Sequence, residues 1–231
     1  VFISKDSVAS QPYWLEYPMK EGSFVVRNQE KIGAAETKPA TALFQVKLNG
    51  NFYHFERPVQ YKYTDPVKGE LYQPVQLVNP FFINAAPSLI IFANHKKAQT
   101  KYIQFTLQSN IALNEKINFN TQYNGHTDQV FDSLANFKKA EKRMVNVLVR
   151  GDSFPVNSIY YIGGQLKAAS LYEPQVLSLK KISYDHIPDI YYNYYDRTRI
   201  IKMDLKIAGS RIGYIAGAGD KVPQALEQMG Y

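Results

Sequence analysis

Apolar and polar residues alternate with a period of two along much of this chain, and that period strongly limits the possible folds. Val59, Tyr61 and Tyr63 alternate with polar residues, as in a strand with one buried face. Pro66 and Gly69 then mark a turn, because proline cannot donate a ladder hydrogen bond and glycine accepts a positive φ without steric cost. We interpret this stretch as the last strand pair of one β-module, leading directly into the next.

A hairpin is predicted immediately upstream. Phe44 and Val46 belong to one alternating run, and residues 52–55 resume the extended pattern after Asn49-Gly50. Asn-Gly between two such runs favours a type I′ turn, which needs positive φ at both central residues. With a short strand at residues 23–27, these pairs predict a first small β-sandwich at residues 1–78, or part of one whose opening strands lie upstream.

A second sandwich of the immunoglobulin-like kind is predicted at residues 79–185. It has six or seven short strands separated by turn signals and no helical periodicity. Asn124-Gly125 predicts a turn, and a polar connection to residue 139 follows. Residues 159–171, interrupted by Gly163-Gly164, and residues 176–184 are expected to form the final strand pair. The predicted inward-facing residues are Ile103, Phe105, Leu107, Ile117, Phe119, Thr121, Tyr123, Val145, Val147 and Val149.

The end of the chain changes character. Residues 186–210 are predicted to be a linker with one strand, in which Ile201 and Met203 alternate with polar residues. A continuous apolar run at residues 212–216 predicts a strand buried on both faces, followed by a glycine-rich loop. The last residues have helical spacing and end at Gly230. Residues 211–231 therefore predict the first strand-loop-helix unit of a truncated α/β domain.

Composition excludes some classes of function. The chain lacks cysteine, which excludes disulfides and thiolate metal sites, and has no apolar run of membrane-spanning length. The net charge is +7, but the basic residues are spread along the polar positions of alternating strands. A nucleic-acid-binding protein concentrates them on one face, so a solvated strand surface is the better interpretation. The densest basic cluster consists of Lys138, Lys139, Lys142 and Arg143, with Glu141 among them.

No catalytic constellation is visible, and we predict no cofactor. The best metal candidate is His126 with Asp128 and Asp132, although polar loops commonly carry such residues without a metal. Asp65 and Glu70 flank a turn and could form an acid–base pair, but turn chemistry explains them better.

Two groups of aromatic residues are candidate carbohydrate-binding platforms. Trp14 is the only tryptophan, and Tyr191, Tyr192, Tyr194 and Tyr195 form a dense run. In an extended segment Tyr192 and Tyr194 would face one way, and Tyr191 and Tyr195 the other. Packing against neighbouring elements is the favoured alternative for both groups.

Several motifs, in order, resemble a known family. They are SQPYWL at residues 10–15, YTDPVKGE at 63–70, YDHIP at 184–188, IGYIAGAGDKVP at 212–223 and QMGY at 228–231. The chain is similar to the region after the catalytic domain in large PIG-L (LmbE-like) family deacetylases of Bacteroidetes. The tyrosine run departs from the Pro-rich linker that the resemblance implies.

The resemblance implies a zinc-dependent N-acetylglucosaminyl deacetylase as the parent. It also implies a middle similar to the sandwich domain associated with carbohydrate-binding modules in alpha-galactosidases, and a glutamine-amidotransferase-like α/β end. The family's zinc and base residues come from an A-H-P-D-D motif and a later H-x-x-H. Neither occurs here, so no catalytic residue carries over.

The sequence thus leads to two alternative functions. One is a non-catalytic scaffold that spaces and docks adjacent domains of a longer, extracytoplasmic parent chain. The other is a carbohydrate-binding β-sandwich that binds a glycan through its exposed aromatics. For both alternatives we expect neither a nucleic-acid partner nor a membrane-spanning segment.

Overall fold

The protein is mainly β, as the alternating pattern predicts. The computed structural model describes residues 9–32, 40–93, 99–123, 126–171 and 173–231, with the backbone alone at residues 31, 126–135 and 188. The predicted turn at Asn124-Gly125 lies outside the described residues.

Fourteen strands and one α-helix make up the main regular elements of the described residues. The strands are β1 Thr41–Leu48, β2 Asn51–Pro58, β3 Gln60–Asp65, β4 Gly69–Pro74, β5 Phe81–Ala86, β6 Leu89–Ala93, β7 Thr100–Ser109, β8 Leu113–Tyr123, β9 His126–Phe137, β10 Lys142–Arg150, β11 Ser158–Ala168, β12 Ser178–Tyr184, β13 Ile187–Tyr194 and β14 Arg197–Met203. The helix is α1, Val222–Met229, and short 3-10 helices occupy Tyr13–Leu15, Gln29–Lys31 and Gly151–Ser153.

The chain divides into two units, each built from two separate segments. Unit 1 comprises Val1–Asn79 and Leu179–Tyr194, and unit 2 comprises Pro80–Ser178 and Tyr195–Tyr231. The sequence predicts one continuous domain at residues 79–185. In the structure most of β12 belongs to unit 1, because β12 pairs with β13 and not with β11.

Unit 2 is a β-sandwich of two sheets. The strand order is β10-β7-β5 in one sheet and β6-β14-β11-β8-β9 in the other. Neighbouring strands are antiparallel, except that β14 and β6 run parallel. The inward side chains of both sheets form one buried cluster. This confirms the predicted inward positions of β7, β8 and β10, of which the fully or almost fully buried apolar residues are Ile103, Phe105, Leu107, Ile117, Phe119, Val145, Val147 and Val149.

Gly164 lies where the two sheets approach each other closely. A Cβ placed on Gly164 would be 2.8 Å from both Ile83 Cγ2 and Phe119 Cε2. The Phe105 and Phe119 rings meet at this point, with 5.2 Å between their centroids. The predicted interruption at Gly163-Gly164 is therefore wrong: β11 runs through both residues, and the missing side chain at Gly164 makes room for the core.

Three sequence expectations for unit 2 are wrong. The polar connection at residues 126–137 is the strand β9, and three register shifts against β8 explain its irregular pattern. The predicted final pair does not form, since β11 lies between β14 and β8. The predicted linker at residues 186–210 supplies β14, which lies inside the five-stranded sheet. In β14, Thr198 and Ile200 are buried, and Ile201 and Met203 are half-buried.

Unit 1 consists of two-stranded sheets in its described part. The pairs are β1-β2, β3-β4 and β12-β13. Asn49 and Gly50 have φ of 51° and 84°, which confirms the predicted type I′ hairpin. The Asp65 carboxylate accepts hydrogen bonds from the backbone N–H of Val67 and of Lys68, both at 2.8 Å, which confirms the predicted turn between β3 and β4.

The first predicted sandwich is not confirmed. Every residue of the buried apolar cluster belongs to unit 2. Residues 23–27 are not a strand, since Ser23 forms only an isolated bridge with Lys20 and the residues that follow pair with no strand of the described part. A run of alternating residues forms a strand only where a neighbouring strand hydrogen-bonds to its backbone N–H and C=O groups.

The side chains of Ser10 and Gln11 connect the segments of unit 1. Gln11 Nε2 donates to the carbonyl of Asn193 at 3.0 Å, and the Asn193 N–H donates to Gln11 Oε1 at 2.7 Å. The backbone N–H of Ser10 donates to the carbonyl of Leu77, and the N–H of Leu77 donates to Ser10 Oγ, both at 2.8 Å. Residues 10 and 11 are thereby fixed to the end of β13 and to the segment after β4.

The C-terminal residues confirm the predicted helix but not the predicted strand. Helix α1 ends at Gly230, whose left-handed φ of 113° lets its N–H donate to the Leu226 and Glu227 carbonyls. Residues 212–216 form no strand, and Ile215 is 95% exposed. A strand buried on both faces needs partners on both sides, and none of the described strands pairs with this run.

Helix α1 covers the open edge of the five-stranded sheet. The Ile91 N–H of β6 donates to Gln228 Oε1 at 2.8 Å, and Gln228 Nε2 donates to the Leu89 carbonyl at 3.3 Å. Lys101 Nζ donates to the Ile91 carbonyl at 2.8 Å. The Gln228 amide thus supplies the acceptor and the donor that a further strand would supply, which blocks pairing by another chain.

We expect Gly164→Ala to destabilise unit 2 by about 1–3 kcal/mol, because the added methyl group overfills a packed core. Denaturant unfolding at equilibrium measures the change. Gly213→Ala is the control, since its Cβ would meet nothing within 4 Å. Equal stabilities of the two variants would contradict this account of the sheet spacing.

We expect Gln228→Ala to speed hydrogen exchange of the Ile91 amide by about tenfold or more and to promote self-association through β6. Hydrogen exchange and sedimentation velocity provide the two measurements. Gln224→Ala removes an exposed amide from the same helix and should change neither. If Ile91 exchanges at the wild-type rate in Gln228→Ala, the side-chain amide does not protect the edge.

Candidate functional site

The predicted aromatic candidates fall in different surroundings. Trp14 is half-buried beside Tyr13, with ring centroids 4.9 Å apart and planes nearly perpendicular. Tyr192 and Tyr194 lie on the same side of β13, as predicted, with centroids 6.0 Å apart. Lys181 Nζ lies 5.7 Å from the Tyr191 ring centroid. Trp14 and these three tyrosines belong to unit 1.

Tyr195 belongs to unit 2 and lies on the outer face of its five-stranded sheet. Here β8, β11 and β14 place polar and aromatic side chains side by side. Gly164 faces the core, so the residues on either side of it in β11 face outward by strand alternation. We call this group the outer-face site; its residues are Gln122, Tyr161, Gly163, Gln165, Tyr195 and Arg197.

Gly163 makes room for the Tyr195 ring. A Cβ on Gly163 would lie 2.6 Å from Tyr195 Cζ, so any larger residue would displace the ring. The Tyr195 hydroxyl donates to Gln122 Oε1 at 2.7 Å. In register, Gly163 stands between Gln122 and Arg197 on the neighbouring strands. The glycine and the hydrogen bond together fix the ring against the sheet.

Arg197 contacts two tyrosine rings. Its guanidinium carbon is 4.8 Å from the Tyr161 ring centroid and 4.9 Å from that of Tyr195, both within cation–π range. Burial raises the pKa of the Tyr195 hydroxyl, and the Arg197 charge acts in the opposite direction. Tyr195 is therefore neutral at physiological pH and can donate to Gln122.

Neutral amides continue along the same face. Gln165 stands opposite Asn120, and both are buried, with Gln165 only 6% exposed. Among the residues whose side chains the structure describes, none is a hydrogen-bond partner of Gln165 Oε1 or Asn118 Oδ1. A buried acceptor without a donor is costly. Both oxygens are closed to solvent, so neither contacts a molecule bound at the surface.

Sequence reasoning found Tyr195 but missed the rest of the outer-face site. The signal that could have found it is Gly163-Gly164, since adjacent glycines in a strand mark close approach on both faces. The tyrosine run directed attention to Tyr191, Tyr192 and Tyr194, which are in the other unit.

A second exposed surface lies on the hairpin β1-β2 of unit 1. Directly opposed residues share a face, and the pairs Phe44–Phe55 and Val46–Tyr53 place apolar groups together. Phe44 is 52% exposed, and the other large apolar groups of this face are similarly open to solvent. We call this surface the hairpin face; its residues are Ala42, Phe44, Val46, Leu48, Tyr53 and Phe55.

The structure favours the structural interpretation of Asp65 and Glu70. Hydrogen bonds from the Lys68 and Val67 amides lower the pKa of Asp65. The ammonium of Lys62 lowers the pKa of Glu70, to which Lys62 Nζ lies at 2.6 Å. A general acid near neutral pH needs a raised pKa, so neither carboxylate fits that role.

The metal candidate is not tested, because the side chains of His126, Asp128 and Asp132 lie outside the described residues. Among the described residues, no group of three or more potential ligands of the His, Cys, Asp or Glu type is suitably placed for a metal ion. The helices in the described part of the chain are all too short or too polar to cross a bilayer.

No protein-family model matches the chain, and a search of curated proteins finds no significant match.

We expect Tyr195→Phe to lower the free energy of unfolding by about 1 kcal/mol at neutral pH, because Gln122 Oε1 loses its donor. Burial raises the pKa of Tyr195 in the folded protein above its ordinary value of 10.0. The protonated hydroxyl therefore contributes its full stabilisation of the fold below pH 10.0, and this stabilisation is lost as pH rises through the folded pKa. Wild type should therefore lose more stability than Tyr195→Phe above about pH 10. Denaturant unfolding against pH tests this, with exposed Tyr102→Phe as the control.

Proposed function

We propose that this chain is a non-catalytic accessory segment that docks a neighbouring domain of its parent protein on the hairpin face. The single observation that carries the proposal is this apolar surface on a two-stranded sheet. An isolated hairpin is marginally stable in water, and three or more strands or a packed element are needed to stabilise it. A docked domain would supply that packing.

The two faces of the hairpin differ in chemistry. The hairpin face carries no charged residue apart from Arg57 at its end, whereas the opposite face carries Lys47, His54 and Glu56. Lys47 Nζ also lies 5.3 Å from the ring centroid of Phe52. One face is suited to solvent and the other to burial, as at a domain contact.

The parent that we propose is a PIG-L-type, zinc-dependent N-acetylglucosaminyl deacetylase. Support comes from the motifs described above, of which YTDPVKGE forms the turn between β3 and β4 and YDHIP the turn between β12 and β13. In this proposal the unit 2 sandwich corresponds to an immunoglobulin-like accessory domain, and residues 211–231 open a C-terminal α/β domain. The absence of cysteine is compatible with the extracytoplasmic location that such a parent would have.

Two experiments test the proposal. The gene sequence upstream of Val1 should encode an A-H-P-D-D motif, and its absence there would remove the deacetylase link. In the parent protein, the amides of β1 and β2 should exchange at least about tenfold more slowly than in this chain alone, because docking protects the hairpin.

In the parent protein, we expect Phe44→Ser to abolish that protection, because it places a hydroxyl in the apolar contact. Phe52→Ser is the matched control, since Phe52 is 56% exposed against 52% for Phe44 but lies on the opposite face. Docking would be contradicted if both variants lost the protection of the β1 and β2 amides equally. It would also be contradicted if these amides exchanged at the same rate in the parent protein and in this chain alone. If this chain dimerises and Phe44→Ser abolishes the dimer, the hairpin face binds a second copy of the chain instead.

The second candidate function is carbohydrate binding. The specific observation that favours it is the outer-face site, where tyrosine rings, an arginine and amides lie together on a sheet. Ligand sites combine apolar and aromatic surface with a few convergent polar groups in this way. Trp14, Tyr191, Tyr192 and Tyr194 remain candidate contacts in unit 1.

A further inference from the structure

The charge of Arg197 is available to a ligand. Arg197 is exposed, and none of the carboxylates whose side chains the structure describes forms an ion pair with it. Its two ring contacts hold the guanidinium at the sheet surface. Arg199, also exposed, projects from the same side of β14 two residues away and adds a second positive charge. A planar, positioned guanidinium binds a carboxylate through two parallel hydrogen bonds.

Tyr161 offers a flat apolar surface next to that charge. Its side chain is 39% exposed, and the Arg197 guanidinium carbon lies 4.8 Å from the ring centroid. Aromatic rings combine a large apolar contact area with a polar tip, which suits ligands with both apolar and hydroxylated surfaces. A pyranose has this character, since its C–H groups form an apolar face and its hydroxyls surround the rim.

The amides complete a set of groups suited to hydroxyls. Gln122 Oε1 accepts from Tyr195, which leaves Gln122 Nε2 as a donor at the surface. Gln165 and Asn120 lie buried beneath the same face. A hydroxyl both donates and accepts, so a sugar rim, directly or through one ordered water, pairs with the Gln122 amide.

We propose that the outer-face site binds an oligosaccharide whose pyranose rings carry carboxylates. The inference rests on the second candidate function and names its ligand class. Arg197 binds the carboxylate, the exposed part of Tyr161 contacts the apolar face of the sugar, and the Gln122 amide contacts a hydroxyl.

Isothermal titration of this chain with an oligogalacturonate tests the proposal, with a neutral cello-oligosaccharide and a sulfated chondroitin oligosaccharide of equal length as comparison probes. We expect the oligogalacturonate to bind at least about tenfold more tightly than the neutral probe. Arg197→Gln should weaken that binding about tenfold or more and Tyr161→Ala about fivefold or more. Arg197→Lys should fall between wild type and Arg197→Gln, because it keeps the charge and loses the fork.

Matched controls come from the other sheet of unit 2. Arg150→Gln removes the same charge from β10, and Tyr102→Ala removes an exposed ring from β7. Neither should change affinity more than about twofold. Thermal unfolding followed by circular dichroism verifies that each variant is folded. If Arg197→Gln does not fold, Arg197→Lys provides the test.

Three outcomes would overturn the inference. They are no binding of the oligogalacturonate, tighter binding of the neutral or the sulfated probe, and equal weakening by the control variants, which would indicate general attraction to a basic protein. Failure here leaves the docking proposal intact, because the hairpin face shares no residue with the outer-face site. Loss of docking leaves glycan binding intact for the same reason.

Discussion

The structure of unit 2 depends on two consecutive residues of β11 that lack side chains. Because neighbouring residues of a strand point to opposite faces, Gly164 serves the core and Gly163 serves the outer surface. The first lets Phe105 and Phe119 meet between the sheets. The second lets the Tyr195 ring lie against the strand. Core packing and the candidate binding surface are thereby set by adjacent positions of one central strand.

A second principle is the use of glutamine amides in place of strands. Gln11 pairs with both backbone groups of Asn193, and Gln228 pairs with the edge of β6. A side-chain amide has the same donor and acceptor as a peptide group, so it can satisfy an edge without offering a further edge for pairing. In both units this device fixes a segment near one end of the chain to a strand distant in sequence.

The sequence predicts what depends on local pattern and misses what depends on pairing. The hairpin at Asn49-Gly50, the turn at Asp65 and the helix ending at Gly230 are set by neighbouring residues, and all three are confirmed. Residues 212–216 have the composition of a strand, but composition cannot supply a partner. For β9, the bulges that disturb its alternation arise from its pairing with β8.

The candidate site shows the same division. A run of tyrosines is visible in a sequence, so Tyr195 is among the predicted candidates. Its association with Gln122 and Arg197 requires the register of β8, β11 and β14, and two of these strands are more than thirty residues apart in the chain. No local pattern contains that register. The hairpin face, by contrast, could be drawn from the sequence once the Asn49-Gly50 turn is accepted, since that turn fixes which residues oppose each other.

The division of each unit into two separate segments has a consequence for biosynthesis. Strand β14 lies between β6 and β11, and Thr198 Oγ1 donates to the Pro87 carbonyl, 111 residues earlier. Unit 1 likewise closes through Asn193 and Gln11, 182 residues apart. A ribosome therefore delivers most of the chain before either unit can close. Such distant closure slows folding, and the nascent chain carries unpaired strands that chaperones would need to shield.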